Sequence, residues 1–261
     1  MSKKTGHRQA TRPLAFFDLD GTLLPHDTFF LFANFLIRRS PWRLYYLIPF
    51  MLTLPFFLMR WVGPLRLKQS FLTILWRISE AELAAICRAF VERSVLPHIY
   101  PEMRTEIERL RTAGYALILN TASPDFYAQE IGRALGFDKT FGTRFHVSPR
   151  MPFWQSAAGP NNSTWQKIHS MHAVGLLPGL DALSIESGIP APIPRSSTYT
   201  DSTKDLPLLQ LAARGFVVHP GERLAELAAT HDWTIMHPEP SDGKMPGPGA
   251  PIKQLLGLFS V

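Results

Sequence analysis

Phe16-Phe17-Asp18-Leu19-Asp20-Gly21-Thr22 decides the fold. The apolar run Leu14 to Phe17 before the two acids reads as a short buried strand. Residues i and i+2 of a strand point the same way, so Asp18 and Asp20 leave its carboxyl end aimed into one crevice. In an open α/β sheet that crevice is where ligands bind. Paired carboxylates there suit a hard metal ion, or a nucleophile beside a proton shuttle. A calcium loop does not fit, because glycine stands at the fourth position from Asp18 rather than the sixth.

Two further strand ends carry polar groups. Tyr115 to Asn120 reads as a second buried strand, ending in Thr121-Ala122-Ser123-Pro124 before a helix over 125–135. Ser197 to Thr200 reads as a third, ending in Asp201-Ser202-Thr203-Lys204-Asp205. Between them a helix over 163–175 carries Lys167. In a parallel sheet all three strand ends lie on one edge, so Asp18, Asp20, Thr121, Lys167, Asp201 and Asp205 can converge. Lys167 is preferred to Lys139 because it opens a helix just before the last acidic motif; Lys204, inside that motif, is the runner-up. Asp27 either meets substrate or caps the helix that begins at Thr28. His169 and His172 form an HxxH without a third ligand in view and read as ordinary surface or core histidines.

The order DxDGT, an apolar strand ending in Thr, a Lys and then Asp-x-x-x-Asp resembles the haloacid dehalogenase (HAD) superfamily of phosphohydrolases over about residues 14–220. Tyr199 to Ser202 and Asp205 to Leu209 are similar to subfamily IB, which includes phosphoserine phosphatases and phosphatidylglycerophosphatase C. The resemblance implies a doubly wound, Rossmann-like parallel α/β sheet with an inserted helical cap. It implies that Asp18 is the nucleophile and forms an aspartyl-phosphate, while Asp20 is acid and then base. It implies Mg²⁺ on the carboxylates of Asp18 and Asp201 and the main-chain carbonyl of Asp20. Thr121 and Lys167 would hold phosphoryl oxygens, and Asp205 would orient Lys167 or a metal-bound water. The small residue or glycine usual ahead of the lysine is missing, with Asn162-Ser163-Thr164-Trp165-Gln166 in its place.

Charge is unevenly placed. The chain has 27 Lys and Arg against 21 Asp and Glu, yet residues 1–13 and 28–79 hold 11 of the bases and no acid. The remainder is therefore mildly acidic. The second basic segment is interleaved with apolar runs, which favours an anionic membrane surface over nucleic acid. Leu44 to Met59 holds no charge between Arg43 and Arg60, and Trp42, Tyr45, Tyr46 and Trp61 stand at its ends like an interfacial belt. A single crossing is excluded. Sixteen residues of helix rise about 24 Å, short of a bilayer core of about 30 Å. One crossing would also part Asp18 from Thr121 and Asp201. The segment must turn back as a hairpin of 28–37 with 44–62, or lie in the interface. Packing of cap helices on one another is the competing explanation.

The organisation expected is a basic tail over 1–13, a core of 14–27 and 100–237, a helical cap over 28–99 and a Pro/Gly linker with an apolar end over 238–261. Residues 178–197, rich in Pro, Gly and Ser, read as an excursion. Cys87 reads as a buried thiol in a reducing compartment. The expectation is a Mg²⁺-dependent phosphatase at the cytoplasmic side of the inner membrane, acting on a lipid phosphate such as phosphatidylglycerophosphate. The alternative is a soluble enzyme acting on a small metabolite such as phosphoserine. A third reading is a non-catalytic membrane-binding protein that keeps the fold.

Overall fold

The computed structural model describes residues 12–177 and 191–259. Six parallel strands form one sheet in the order β3-β2-β1-β4-β5-β6. They are β1 Leu14–Phe17, β2 Ala116–Pro124, β3 Lys139–Thr143, β4 Ile193–Thr200, β5 Ala212–Val218 and β6 Thr234–Met236. The order reverses at β1, which pairs with β2 on one side and β4 on the other. Such a switch point leaves a crevice at the carboxyl ends of the central strands, and β1 feeds it with Asp18.

All four residues of β1 are buried, because helices cover both faces of the sheet. Ala15 and Phe17 belong to one apolar cluster, Leu14 and Phe16 to another. The first cluster takes in α5 (Pro101–Thr112) through Met103, Ile107 and Leu110, and α6 (Asp125–Ala134) through Tyr127 and Ile131. The second takes in α7 (Trp165–His172) through Ile168 and Met171. An aromatic ladder crosses the central strands: Phe17 stacks on Tyr199 at 4.3 Å, and Tyr199 on Phe216 at 4.5 Å. It holds β1 and β4 in the register that brings Asp18 beside Asp201, and Asp18 N–H donates to the Tyr199 carbonyl at 3.0 Å.

Between β1 and β2 lie α1 (Thr28–Arg39), α2 (Ile48–Leu58), α3 (Pro64–Phe71) and α4 (Glu80–Phe90), with α5 leading into β2. Asp27 caps α1 by accepting from Phe29 N–H at 2.8 Å. A seven-residue 3-10 helix over Pro41–Leu47 separates α1 from α2. The first cluster runs unbroken from β1 into these helices, through Phe32, Phe71, Leu83 and Phe90. Cys87 lies within it, and burial pushes its thiol up to about 12, so the cysteine is inert.

Several sequence expectations need correction. Within the insertion, α3 ends at Phe71 and a tighter turn at Leu72–Leu75 follows it. Strand β4 starts at Ile193, inside the stretch read as an excursion; residues 178–190 of that stretch lie outside the described residues. Strand β6 is absent from the sequence reading, because three residues, two of them exposed, carry no periodic signal. Arg12, assigned to the tail, is tied down by Asp138 at 2.9 Å and the Gly114 carbonyl at 3.0 Å. The segment 238–259 runs as turns and irregular structure through its Pro/Gly stretch, and its apolar end packs on α1. It ends in a short helix (Ala250–Leu255) on α1, and Asn34 exchanges hydrogen bonds with the Phe259 backbone at 3.1 and 3.2 Å.

Candidate active site

The crevice is a cleft of about 390 Å³ lined by Asp18, Asp20, Thr121, Lys167, Asp201 and Asp205, with further residues from the insertion. All six positions read from the three strand ends and α7 are thus brought together, with Asp27 also at the wall.

Lys167 is the hub. Its ammonium is 2% exposed and donates to Asp18 Oδ1 at 2.8 Å and to Asp205 Oδ2 at 2.5 Å. Thr200 Oγ1 donates to the same Asp205 oxygen at 2.9 Å. Burial alone would lower the lysine's pKa; the charges of Asp18 and Asp205 more than offset this and hold it protonated. Lys204, the runner-up, is exposed at the cleft edge.

The loop before α7 explains how this lysine is aimed. Asn162 Nδ2 donates to Asn120 Oδ1 and to the Thr121 carbonyl, each at 2.8 Å. Asn120 Nδ2 in turn donates to the Lys167 carbonyl at 3.0 Å. Thr164 adopts φ 54°, ψ −131°, a conformation that favours glycine. Where a small residue or glycine is usual, this chain has Thr164 in a left-handed conformation, and Asn120 and Asn162 tie the neighbouring loop and the Lys167 backbone to the end of β2.

Asp20 is held differently. Its Oδ1 accepts from Thr28 N–H at 2.7 Å and its Oδ2 from Ser123 Oγ–H at 2.6 Å. Removal from water, with the nearby charge of Asp27, raises its pKa to about 6. Burial raises Asp18 to about 7 although Lys167 pulls it down, and burial with the charge of Asp18 raises Asp201 to about 7. Gly21 has φ +75°, and a Cβ there would stand 2.2 Å from Asp201 Oδ2. Only glycine lets the DxDGT turn pass so close to Asp201. The Thr121 hydroxyl oxygen accepts from Ser123 N–H at 3.0 Å, which leaves its proton free to donate.

Among the described residues no three His, Cys, Asp or Glu side chains form a ready metal cage. The Asp20 side chain is turned toward Ser123 and Thr28, Asp27 caps α1 and Asp205 is taken up by Lys167 and Thr200, which leaves Asp18 and Asp201. That donor set fits Mg²⁺, which binds through one or two carboxylates and keeps several waters. Asp18, Asp20 and Asp201 all have raised pKa values, and of the three only Asp18 has an ammonium at ion-pair distance among the described residues.

Sequence reasoning missed Ser123, Thr28, Thr200 and Lys68. The i, i+2 argument that paired Asp18 with Asp20 applies equally to Thr121 and Ser123 and would have found the serine. Nothing local marks Lys68. It comes from α3, half-buried, and donates to the Ala122 carbonyl and to Asn161 Oδ1 at 2.6 Å, with no carboxylate at ion-pair distance among the described residues. Burial lowers its pKa to about 8, against the opposing pull of Asp20 and Asp27.

The sequence pattern of the haloacid dehalogenase-like hydrolases matches residues 15–210. A histidinol-phosphatase of Neisseria meningitidis is 23% identical over 161 residues, which is 62% of this chain and 69% of that protein. A phosphoserine phosphatase of Mycobacterium tuberculosis is 26% identical over 157 residues, which is 60% of this chain but only 47% of that protein. A crystal structure of a protein of unknown function from Bordetella pertussis Tohama I superposes with a TM-score of 0.69 at 25% identity, covering 87% of this chain and 99% of that one. A phosphoserine phosphatase structure, a phospho-aspartyl intermediate analogue, gives 0.56 at 14% identity over 87% of this chain and 94% of that one; it shares the fold.

Proposed function

The chain belongs to the haloacid dehalogenase-like hydrolases and is a phosphatase of that family; we propose that it hydrolyses small phosphomonoesters through an aspartyl-phosphate on Asp18, with Mg²⁺ as its metal. The observation that carries this reading is the buried chain Asp18–Lys167–Asp205–Thr200 facing Asp20 across one cleft. Asp18 and Asp201 would hold the metal with the Asp20 carbonyl. Bound there, Mg²⁺ would polarise the phosphoryl group and offset the charge of the acids.

The remaining steps belong to this chain's residues. An Asp18 oxygen attacks phosphorus as the bond to the substrate's alcohol oxygen breaks. Asp20 gives its proton to that departing oxygen. A carboxyl raised to about 6 is protonated often enough near neutrality to do so. Asp20 then takes a proton from water as the water attacks the aspartyl-phosphate. Phosphate leaves and the Asp18 carboxylate is restored. Lys167 and the Thr121 hydroxyl face the phosphoryl oxygens and stabilise charge that builds on them. Asp205 positions Lys167 and is not itself consumed.

For the substrate's other end, the wall offers an acid, Asp27, and a cation, Lys68, with Lys204 at the cleft edge. These groups support a small ester with an amine, an acid or both, in keeping with the histidinol-phosphatase and phosphoserine phosphatase relatives. A second reading, a lipid phosphate such as phosphatidylglycerophosphate, is favoured by one observation: the exposed apolar face of residues 42–61.

The test is Mg²⁺-dependent phosphate release from phosphoserine, histidinol phosphate and detergent-dispersed phosphatidylglycerophosphate, with Asp18→Asn as control. Turnover of a soluble ester, lost in the control, is expected. Turnover of the lipid alone would move the substrate to the second reading. Release that persists in the control would overturn the Asp18 mechanism.

A further inference from the structure

Among the described residues, ten of the nineteen exposed large apolar side chains fall between residues 42 and 61. Tyr45 is 73% exposed, Leu52 66%, Leu58 71% and Trp61 68%. Of the eleven residues of α2 only Phe50 is buried, with Leu54 packed partly against the core, while Ile48, Met51, Leu52, Phe56 and Leu58 are exposed. Aromatic contacts extend the face: Trp42 meets Tyr46 at 5.3 Å, Tyr46 meets Trp76 at 5.1 Å, and Trp76 meets Phe153 at 5.7 Å. A concentration of this kind is not the scatter of single apolar residues normal on a protein surface.

The rim identifies what covers it. Arg38, Arg39, Arg60, Arg66 and Arg77 are exposed around or beside the face, and residues 28–79 contain no Asp or Glu. A second copy packed face to face by two-fold symmetry would set these arginines against their own equivalents. An anionic bilayer complements both features: acyl chains for the Trp, Tyr, Leu and Met side chains, and headgroup phosphates for the guanidinium groups. No helix among the described residues is long and apolar enough to cross a membrane, and α2 is interrupted by Pro55. The face can therefore lie on a bilayer without spanning it.

We propose that the face formed by residues 42–61 docks this protein on an anionic membrane surface. This deepens the phosphatase reading by giving its site a location. Trp61 stands three residues before the start of α3, whose Pro64 and Lys68 line the cleft, so docking ties the site's wall to the bilayer.

The test is flotation of the full chain with vesicles of phosphatidylcholine alone and with vesicles half phosphatidylglycerol. Binding is expected to the second kind, about tenfold or more weaker to the first, and to weaken with added salt. Leu52→Glu/Leu58→Glu should lose at least about tenfold in vesicle affinity while keeping its thermal melt and its phosphate release from a soluble ester. Arg39→Gln/Arg66→Gln should weaken binding to the anionic vesicles and leave binding to phosphatidylcholine unchanged. Equal partition of the wild type and the Leu52/Leu58 variant would overturn docking. So would a concentration-dependent dimer that the same variant abolishes, because the face would then be covered by a second copy. Vesicle binding and the melt are read without catalysis, so loss of docking and loss of the phosphatase reading are separate results.

Discussion

Two regions of this molecule break the ordinary rule of polar outside and apolar inside, in opposite senses. At the sheet edge Asp18, Lys167, Asp205, Thr121 and Ser123 are buried; on the insertion Tyr45, Leu52, Leu58 and Trp61 are exposed. The first inversion is satisfied from within, since each buried charge there has a named partner at 2.5 to 2.9 Å. The second has no comparable partner among the described residues. Buried charge costs several kcal/mol unless it is paired, and exposed hydrocarbon is tolerated only with a use or a cover. On the readings proposed above, the first inversion is aimed inward at a phosphate and the second outward at a surface.

The comparison can be tested from its sharpest point downward. Asp18→Asn should cut phosphate release by about a thousandfold or more, on the order of 4 kcal/mol in barrier, with the melt little changed. Release within tenfold of the wild type would show that the buried acid is not the nucleophile. Lys167→Met leaves Asp18 and Asp205 without their shared cation, and a loss of about 3–5 kcal/mol in urea unfolding is expected. A fully stable variant would mean that the pair is not closed as described. Phe50→Ala, removing the one buried anchor of α2, should lose about 3–5 kcal/mol, whereas Leu52→Gln two residues later should stay within about 0.5 kcal/mol. Equal losses at the two positions would erase the difference between anchor and open face.

A pH experiment reads the inward inversion alone. Asp18, Asp20 and Asp201 stand at about 7, 6 and 7 in the folded protein, against an ordinary carboxylate value of 3.8. The folded state then binds more protons than the unfolded chain between about pH 4 and pH 7, so stability falls as pH rises through that window. In chelator the melting temperature should drop from pH 5 to above pH 7, and Mg²⁺ should recover part of the loss at the upper end. A melting temperature that rises over the same range would contradict the buried acid cluster.

The DxDGT stretch, the Thr121 strand end and Asp201/Asp205 were legible because parallel strands repeat every two residues and end on one edge. Chain-local chemistry was enough to place them, and Asp27 proved to be both the cap of α1 and a cleft residue. Lys68 was illegible for the converse reason. It reaches the cleft from α3, far along the chain from Ala122 and Asn161, and no local pattern encodes that approach. The choice of Lys167 over Lys204 was supported by helix position, yet its reason lies in Asn120 and Asn162, which aim the α7 backbone through contacts across the sheet edge.

The insertion divides in the same way. Its arginines, absent acids and aromatic ends are facts of composition, readable in order along the chain. Whether its apolar residues pack on each other or face outward depends on how many neighbouring helices reach them. That is a matter of three-dimensional packing, and only Leu47 and Phe50 of the segment between Leu44 and Met59 find a buried place. Sequence by itself determined the strand edge, the acids on it and the uneven charge, because these follow from backbone periodicity and residue type. Tertiary structure alone decided which lysine meets Asp18, that Ser123 and Thr28 hold Asp20, and which apolar side chains remain uncovered, because those depend on contacts between segments distant in the chain.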